Sequence, residues 1–100
     1  MFGEIDIIDY LRCRAEEDIL IDLRDRTTFG FGTIEGAVNI PVENIAELYR
    51  LPKEKKIYLF CQAGDISGEF AELLSDAGYE AYNLLGGYRK YLRNKIQKQR

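Results

Sequence analysis

Residues 55–74, "KKIYLFCQAGDISGEFAELL", join a strand pattern, a glycine-containing loop and a helix pattern. The run "KKIYLFC" is almost continuously apolar after its lysines, which is typical of a strand buried on both faces of a sheet. The following segment, "SGEFAELLSDAGY" at 67–79, is amphipathic, and Gly78 provides a natural helix end. Its apolar side chains recur at helical spacing: Phe70, Leu73 and Leu74. The stretch therefore predicts a strand, a short loop and a helix.

The rest of the chain continues this alternation. Strand patterns occupy Ile19 to Leu23, "AVNIP" at 37–41 and "EAYNL" at 80–84. Helix patterns occupy "IDIIDYLRC" at 5–13, with Asp6 as N-cap, "VENIAELYRL" at 42–51, with Val42, Ile45 and Leu48 on one face, and "YRKYLRNKI" at 88–96. The glycine-rich stretch "TTFGFGTIEGA" at 27–37 predicts a loop with room for one helical turn. Alternating strands and helices predict an α/β fold with a parallel sheet covered on both faces.

Composition limits the classes of function. One hundred residues with 46% hydrophobic content predict a single domain over residues 1–100 that builds its core without disulfides or metals. No segment approaches the roughly eighteen apolar residues that span a bilayer, and the N-terminus carries acids where a signal peptide carries bases. We therefore expect a cytoplasmic protein without a membrane partner. Because the chain has no histidine and its two cysteines, Cys13 and Cys61, lack metal-site spacing, the usual zinc sites are excluded, and the absence of histidine also excludes Ser-His-Asp and Cys-His catalysis.

Charge is distributed unevenly along the chain. Residues 1–85 contain all 17 acids and 8 bases, whereas residues 86–100 contain 6 bases and no acid. One interpretation is an electrostatic handle for an acidic partner or a nucleic acid. The other, which we prefer from the sequence, is a last helix whose cations suit its C-terminal dipole and keep it solvated. Because the body of the chain is acidic, we expect no nucleic-acid partner.

Cys61 lies at the carboxyl end of the predicted buried strand, where ligands gather in open α/β sheets. The loop "QAGDIS" that follows has the composition of an anion-binding nest of backbone N–H groups, and the next helix adds its positive end. Both effects favour the thiolate, which is the nucleophilic form of cysteine. The alternative is an inert small hydrophobic residue that ends a strand. The glycine loop favours the reactive interpretation. Cys13, in or near the first helix, is expected to serve packing, and a role as a resolving thiol is the less favoured alternative.

Four segments, in chain order, resemble the motifs of single-domain rhodaneses, the rhodanese-like sulfurtransferases. They are "LIDLRD" with its Asp-x-Arg at Asp22 and Arg24, "GTIEGAVNIP" at 32–41, "CQAGDIS" at 61–67 and "NLLGGYRKYL" at 83–92. The resemblance implies a rhodanese-like three-layer α/β/α fold with a mostly parallel sheet of about five strands. It also implies that Cys61 is catalytic, carries sulfane sulfur as a persulfide and needs no cofactor. We interpret Asp22 and Arg24 as a structural polar pair.

The chain departs from the family pattern at three positions. Thr33 stands where the family usually has histidine, Tyr91 where it usually has tryptophan, and Ile66 where the loop often has arginine. The first two departures are compatible with hydrogen bonding at a turn and with aromatic packing. Ile66 removes a guanidinium and Asp65 adds a negative charge, so we expect small dianions such as thiosulfate to be poor donors. A neutral or protein-bound sulfur donor is favoured instead.

The expected site therefore consists of the nucleophile Cys61 and a substrate-binding loop. The loop residues are Gln62, Ala63, Gly64, Asp65, Ile66 and Ser67. Ser67 either hydrogen-bonds the persulfide or caps the next helix, and residue preferences favour the cap. The expected partners are a small-molecule or protein-bound sulfur donor and a thiol or other nucleophilic acceptor.

Two rival functions follow from the same loop. A cysteine phosphatase or arsenate reductase requires arginine six positions after the cysteine, to grip the oxyanion. Ser67 stands at that position, so the sequence disfavours a phosphatase or arsenate reductase. A non-catalytic rhodanese-like binding or regulatory module remains the alternative, because Asp65 and Ile66 weaken the anion site.

Overall fold

The computed structural model describes residues 2–98, so Arg100 of the basic C-terminal cluster lies outside the described residues. The strands are β1 (Gly3–Asp6), β2 (Ile19–Asp22), β3 (Val38–Asn39), β4 (Lys56–Phe60) and β5 (Glu80–Leu85). The α-helices are α1 (Ile7–Cys13), α2 (Arg26–Phe31), α3 (Asp65–Asp76) and α4 (Gly87–Lys98), and a 3-10 segment spans Val42–Arg50.

The five strands form one sheet in the order β1-β5-β4-β2-β3, and every neighbouring pair is parallel. One face of the sheet packs against α3 and the 3-10 segment through a core that includes Leu59, Leu48 and Leu74. The other face packs against α1 and α4 through a core that includes Phe60 and Ile8. Because side chains alternate along a strand, β4 supplies both cores. The predicted three-layer α/β/α architecture with a parallel sheet is confirmed.

The first strand is the largest departure from the sequence-based assignment. Gly3–Asp6 forms β1 at the sheet edge and pairs with β5, although no strand was predicted there. Glu4 is exposed and the other residues are only half-buried, so the short segment lacks the apolar run of an inner strand. The helix that follows is confirmed, because the Asp6 carboxylate accepts hydrogen bonds from the N–H groups of Ile8 and Asp9 as an N-cap.

Two further secondary-structure assignments need correction. Arg26–Phe31 forms a short helix of six residues where a loop with room for one helical turn was predicted, because the Asp25 carboxylate caps it at the Thr28 N–H. The segment Val42–Arg50 is a 3-10 helix with a kink at Asn44, and Val42 is exposed instead of packed.

Leu73 is 47% exposed, so the predicted apolar face of α3 is wrong at this residue. The buried face of α3 is formed by Ser67, Ala71 and Leu74, which recur at helical spacing. Leu73 precedes Leu74 by one residue, which turns it about 100° away from that face. Among the described residues, no helix is both long enough and apolar enough to pass through a bilayer.

Candidate active site

The site lies where three parallel strands end at the same edge of the sheet. Cys61 follows β4, the Asp22–Arg24 segment ends β2, and the Gly86–Gly87 pair follows β5. Since β4 lies between β2 and β5 in the sheet, Cys61 lies between the other two segments. This is the position that open α/β sheets use for ligands.

The Cys61 thiol is nearly enclosed, with 4% of the residue exposed. Its Sγ accepts hydrogen bonds from the backbone N–H of Gly64 at 3.2 Å and of Ser67 at 3.3 Å. Gly64 precedes α3 with a φ of +100°, which only glycine adopts readily. A Cβ there would also lie 3.2 Å from the Gly86 nitrogen. The glycine thus lets the loop turn back so that backbone donors point at the sulfur.

Ser67, in the first turn of α3, contacts the sulfur with its side chain as well as with its N–H group. Its Oγ is 3.3 Å from Cys61 Sγ and donates a hydrogen bond to Asn83 Oδ1 at 2.6 Å. Residue Gly64 occupies the N-cap position, so the prediction that Ser67 caps the helix is wrong. Its hydroxyl instead joins the sulfur to a polar side chain on the neighbouring strand.

Asn83 is a residue of the site that the sequence reasoning missed. It is 1% exposed on β5, and its Nδ2 donates to the Gly64 carbonyl at 2.9 Å and to Glu4 Oε2 at 3.1 Å. These donations orient the amide, so Oδ1 is the atom that faces Ser67. An asparagine inside the apolar pattern "EAYNLL" was the available signal, since a buried amide needs partners.

Asp65 adds a negative charge beside the thiol. The Ile66 N–H donates to its carboxylate at 2.9 Å and is the main cause that holds the pKa of Asp65 below its ordinary value. The Cys61 thiol donates to Asp65 Oδ1 over 3.7 Å. The Asp65 side chain is exposed, so solvent screens its charge.

The segment after β5 holds the backbone of the Cys61 loop through hydrogen bonds. The N–H groups of Tyr88 and Arg89, in the first turn of α4, donate to the carbonyls of Cys61 at 2.9 Å and Gln62 at 3.0 Å. This approach requires Gly87, because a Cβ at that residue would lie 2.6 Å from the Cys61 carbonyl oxygen. The glycine pair therefore fixes the backbone on which the thiol is carried.

The predicted Asp22–Arg24 pair is confirmed as a buried ion pair. Arg24 Nη2 lies 2.7 Å from Asp22 Oδ2, and both side chains are almost fully covered. Arg24 also donates to the Gly32 carbonyl at 2.7 Å, and its guanidinium lies 3.9 Å from the centre of the Tyr88 ring. Through Arg24, the end of β2 therefore contacts the loop after α2 and helix α4.

A pocket of about 630 Å³ opens over Cys61. Its lining combines apolar, polar and charged residues from the segments that follow β2 and β4, from α2 and α3 and from the 3-10 segment: Leu23, Arg24, Asp25, Thr28, Val42, Glu43, Cys61, Gln62 and Ile66. Among the predicted loop residues, Gln62 and Ile66 line this pocket, whereas Gly64 and Ser67 contact the sulfur. Ala63 is exposed and has no hydrogen bond to the sulfur among the described residues.

The second cysteine lies elsewhere. Cys13 ends α1 and is exposed, so its predicted role in packing is wrong. Among residues 2–98, no three acidic or thiol side chains cluster in a way that would hold a metal ion.

Comparison with known proteins identifies the family of this chain. The model of the rhodanese-like domain family matches residues 8–94. The chain belongs to this family. The protein YqhL of Bacillus subtilis is 39% identical over 74 residues, which cover 72% of this chain and 59% of that protein. A tRNA sulfurtransferase of Desulfurococcus amylolyticus is 28% identical, with 91% of this chain and 21% of that protein covered. The chain thus spans less than two thirds of these curated relatives.

A solved rhodanese-related protein of Thermoplasma volcanium has the same fold. It superposes with a TM-score of 0.84 at 24% identity, and 93% of each chain is covered.

Two of the departures from the rhodanese pattern have structural counterparts in this domain. The Thr33 hydroxyl donates to Asp22 Oδ2 at 2.8 Å, so threonine supplies a hydrogen bond at the position usually held by histidine. Tyr91 packs against Tyr88 with the ring centres 5.4 Å apart. Ile66 is different, because its side chain is 43% exposed at the pocket wall and offers no charge.

Proposed function

We propose that this rhodanese-like domain is a sulfurtransferase that carries sulfane sulfur as a persulfide on Cys61. The observation that supports it most is the pair of backbone N–H groups, of Gly64 and Ser67, that donate to a thiol lining an open pocket. Such donors stabilise negative charge on sulfur without a cationic side chain. Relatives named as sulfurtransferases support the same class of reaction.

The proposed reaction is two displacements at sulfur. In the first, the Cys61 thiolate attacks the outer sulfur of the donor, the bond between this sulfur and the rest of the donor breaks, and the donor leaves with the electron pair. In the second, an acceptor thiolate attacks the outer sulfur of the persulfide, and the electron pair of the broken S–S bond returns to Cys61. Sulfur passes between thiolates, so no external oxidant or reductant is needed.

The loop residues have distinct proposed roles. The N–H groups of Gly64 and Ser67 hold the charged sulfur, and the side chains of Gln62 and Ile66 form part of the wall that the donor passes. Ala63 carries the exposed turn between them. The carboxylate of Asp65, 3.7 Å from Sγ, disfavours a doubly charged donor near the thiol. We therefore propose a neutral, singly charged or protein-bound persulfide as donor.

The test is turnover with a defined donor and acceptor. Glutathione persulfide and dithiothreitol are supplied, and release of sulfide is measured for the wild type, Cys61→Ser and the matched control Cys13→Ser. We expect turnover by the wild type and the control and none above background by Cys61→Ser, with circular dichroism unchanged. Equal rates for wild type and Cys61→Ser would exclude Cys61 as the carrier. Absence of turnover in all three would favour the alternative, a rhodanese-like module that binds without catalysis.

A further inference from the structure

Helix α4 concentrates positive charge beside the active-site loop. Residues 86–98 contain five bases and no acid, whereas all 17 acids lie in residues 1–85. The N–H of Arg89 donates to the Gln62 carbonyl, so the helix begins directly against the Cys61 loop. Arg89 also contributes to the lowered pKa of Asp65, after the larger effect of the Ile66 N–H. The basic helix therefore begins directly beside the active-site loop.

The helix dipole explains only part of this charge. Lys95 and Lys98 lie in the last turn of α4, where cations are favoured. Arg89 and Lys90 lie near its N-terminus, where cations are disfavoured. Lys90 forms an ion pair with Asp6. Within residues 2–98, neither Arg89 nor Arg93 forms an ion pair at 4 Å or less, and Arg89 has only a longer-range attraction to the exposed Asp65 carboxylate.

A groove on α4 combines these arginines with exposed apolar side chains. It has a volume of about 380 Å³ and is lined by Gln62, Arg89, Leu92, Arg93, Ile96 and Gln97. Leu92 is 39% exposed and Ile96 is 51% exposed. Gln62 also lines the pocket over Cys61, so the groove and the pocket meet at this residue. We refer to this surface as the α4 groove.

We propose that the α4 groove docks a protein partner that presents acidic side chains beside an apolar one, and whose sulfur-bearing thiol reaches Cys61 past Gln62. This inference rests on the proposed function and adds the class of partner. Unpaired arginines at the edge of an apolar patch suit an acidic protein surface, since charge complementarity guides association and the apolar contact holds the complex. The described residues that line the groove include no aromatic side chain on which a base could stack, which disfavours RNA.

The chemistry at the docked thiol balances as in the proposed reaction. The thiolate of the partner attacks the outer sulfur of the Cys61 persulfide. The S–S bond to Cys61 breaks, its electron pair stays on Sγ, and the partner leaves as a persulfide. The reverse sequence loads Cys61 from a partner persulfide.

The experiment uses a synthetic probe. One peptide carries a run of acidic residues, a leucine and a terminal cysteine, and a second replaces the acids with their amides. The protein is loaded with glutathione persulfide and desalted, and sulfur transfer to each peptide and to 2-mercaptoethanol is followed by mass spectrometry. The variant Arg89→Glu/Arg93→Glu is compared with Lys95→Glu/Lys98→Glu, which makes the same charge change outside the groove. Arg89→Gln/Arg93→Gln replaces the first variant if circular dichroism shows that it fails to fold.

We expect the ratio of the acidic-peptide rate to the 2-mercaptoethanol rate to fall about tenfold or more in the arginine variant at low ionic strength, since steering changes association rates by about 10- to 1,000-fold. The lysine variant should change this ratio much less, and added salt should reduce the difference. Equal loss in both variants, or equal rates for the two peptides with the wild type, would overturn the proposal. Tighter binding of a single-stranded RNA than of the acidic peptide, dependent on Arg89 and Arg93, would overturn it in favour of RNA.

Failure of the proposed function is distinguishable from failure of the docking proposal. If glutathione persulfide does not load the protein, the proposed function fails, and docking is measured by fluorescence anisotropy of the labelled acidic peptide. Loss of binding in Arg89→Glu/Arg93→Glu but not in Lys95→Glu/Lys98→Glu would then support the α4 groove. Equal binding by wild type and both variants would exclude it.

Discussion

Replacing Gly87 with alanine should both destabilise the fold and disturb the active-site loop. Gly87 has a φ of +60°, and a Cβ would lie 2.6 Å from the Cys61 carbonyl oxygen and 2.7 Å from that of Gln62. A left-handed backbone costs an L-residue about 1–2 kcal/mol, and overpacking adds about 1–3 kcal/mol. The free energy of unfolding should therefore fall by about 2–5 kcal/mol. Because the carbonyls are those held by α4, sulfur transfer should slow as well.

The assay is urea unfolding followed by circular dichroism, with sulfur transfer measured on the same preparations. The matched control is Gly30→Ala in α2, where a Cβ would meet nothing within 4 Å. Alanine there should raise the free energy of unfolding by about 0.5–1 kcal/mol, as for glycine in a helix interior. A Gly87→Ala protein within about 0.5 kcal/mol of the wild type, the range of neutral surface changes, would refute the close approach of the two loops.

Three further outcomes are expected. Asp65→Asn with Ile66→Arg should lower the apparent KM for thiosulfate at low salt and less at high salt, because the loop gains positive charge; an unchanged KM at low salt would show that loop charge does not select the donor. Asp22→Asn should lower the free energy of unfolding by about 3 kcal/mol or more in urea titrations, because it leaves a buried guanidinium unpaired; wild-type stability would contradict this. The hydrogen bond from Lys90 is the main cause of the lowered pKa of Asp6. Because the folded state favours the ionised carboxylate, its contribution to the free energy of unfolding is lost as pH falls below about 4. In Lys90→Met, the free energy of unfolding should fall less steeply as the pH is lowered below about 4. An unchanged slope of this free energy against pH would assign the fall to other carboxylates.

The strand-loop-helix unit around Cys61 could be predicted from sequence because its signals are local. A continuous apolar run, a glycine and an amphipathic segment adjoin one another, and each has a direct structural meaning. β1 carried no comparable signal, since four half-buried edge residues form a strand only by pairing with β5. The helix α2 was missed because threonines and a glycine are weak helix formers, and an aspartate cap starts the helix nonetheless.

The polar contacts from Ser67 to Asn83 and Glu4 could not be predicted, because these three residues are distant from one another in sequence. The chain of contacts runs from Cys61 to Ser67, to Asn83 and to Glu4 on β1. The pairing of β5 with β1 and with β4 brings these side chains together, and local sequence periodicity does not predict which strands pair. A single domain over residues 1–100 and the roles of the loop residues in catalysis stay predictions.

The most direct test of sulfur carriage by Cys61 is the mass of the protein after one exposure to a persulfide donor. The protein is treated with glutathione persulfide, desalted, measured intact and mapped by peptide mass spectrometry before and after addition of a reductant. We predict a gain of one sulfur atom on the peptide that contains Cys61, retained in Cys13→Ser, absent in Cys61→Ser and removed by the reductant. A wild-type protein without this gain, or a gain that persists in Cys61→Ser, would contradict sulfur carriage by Cys61.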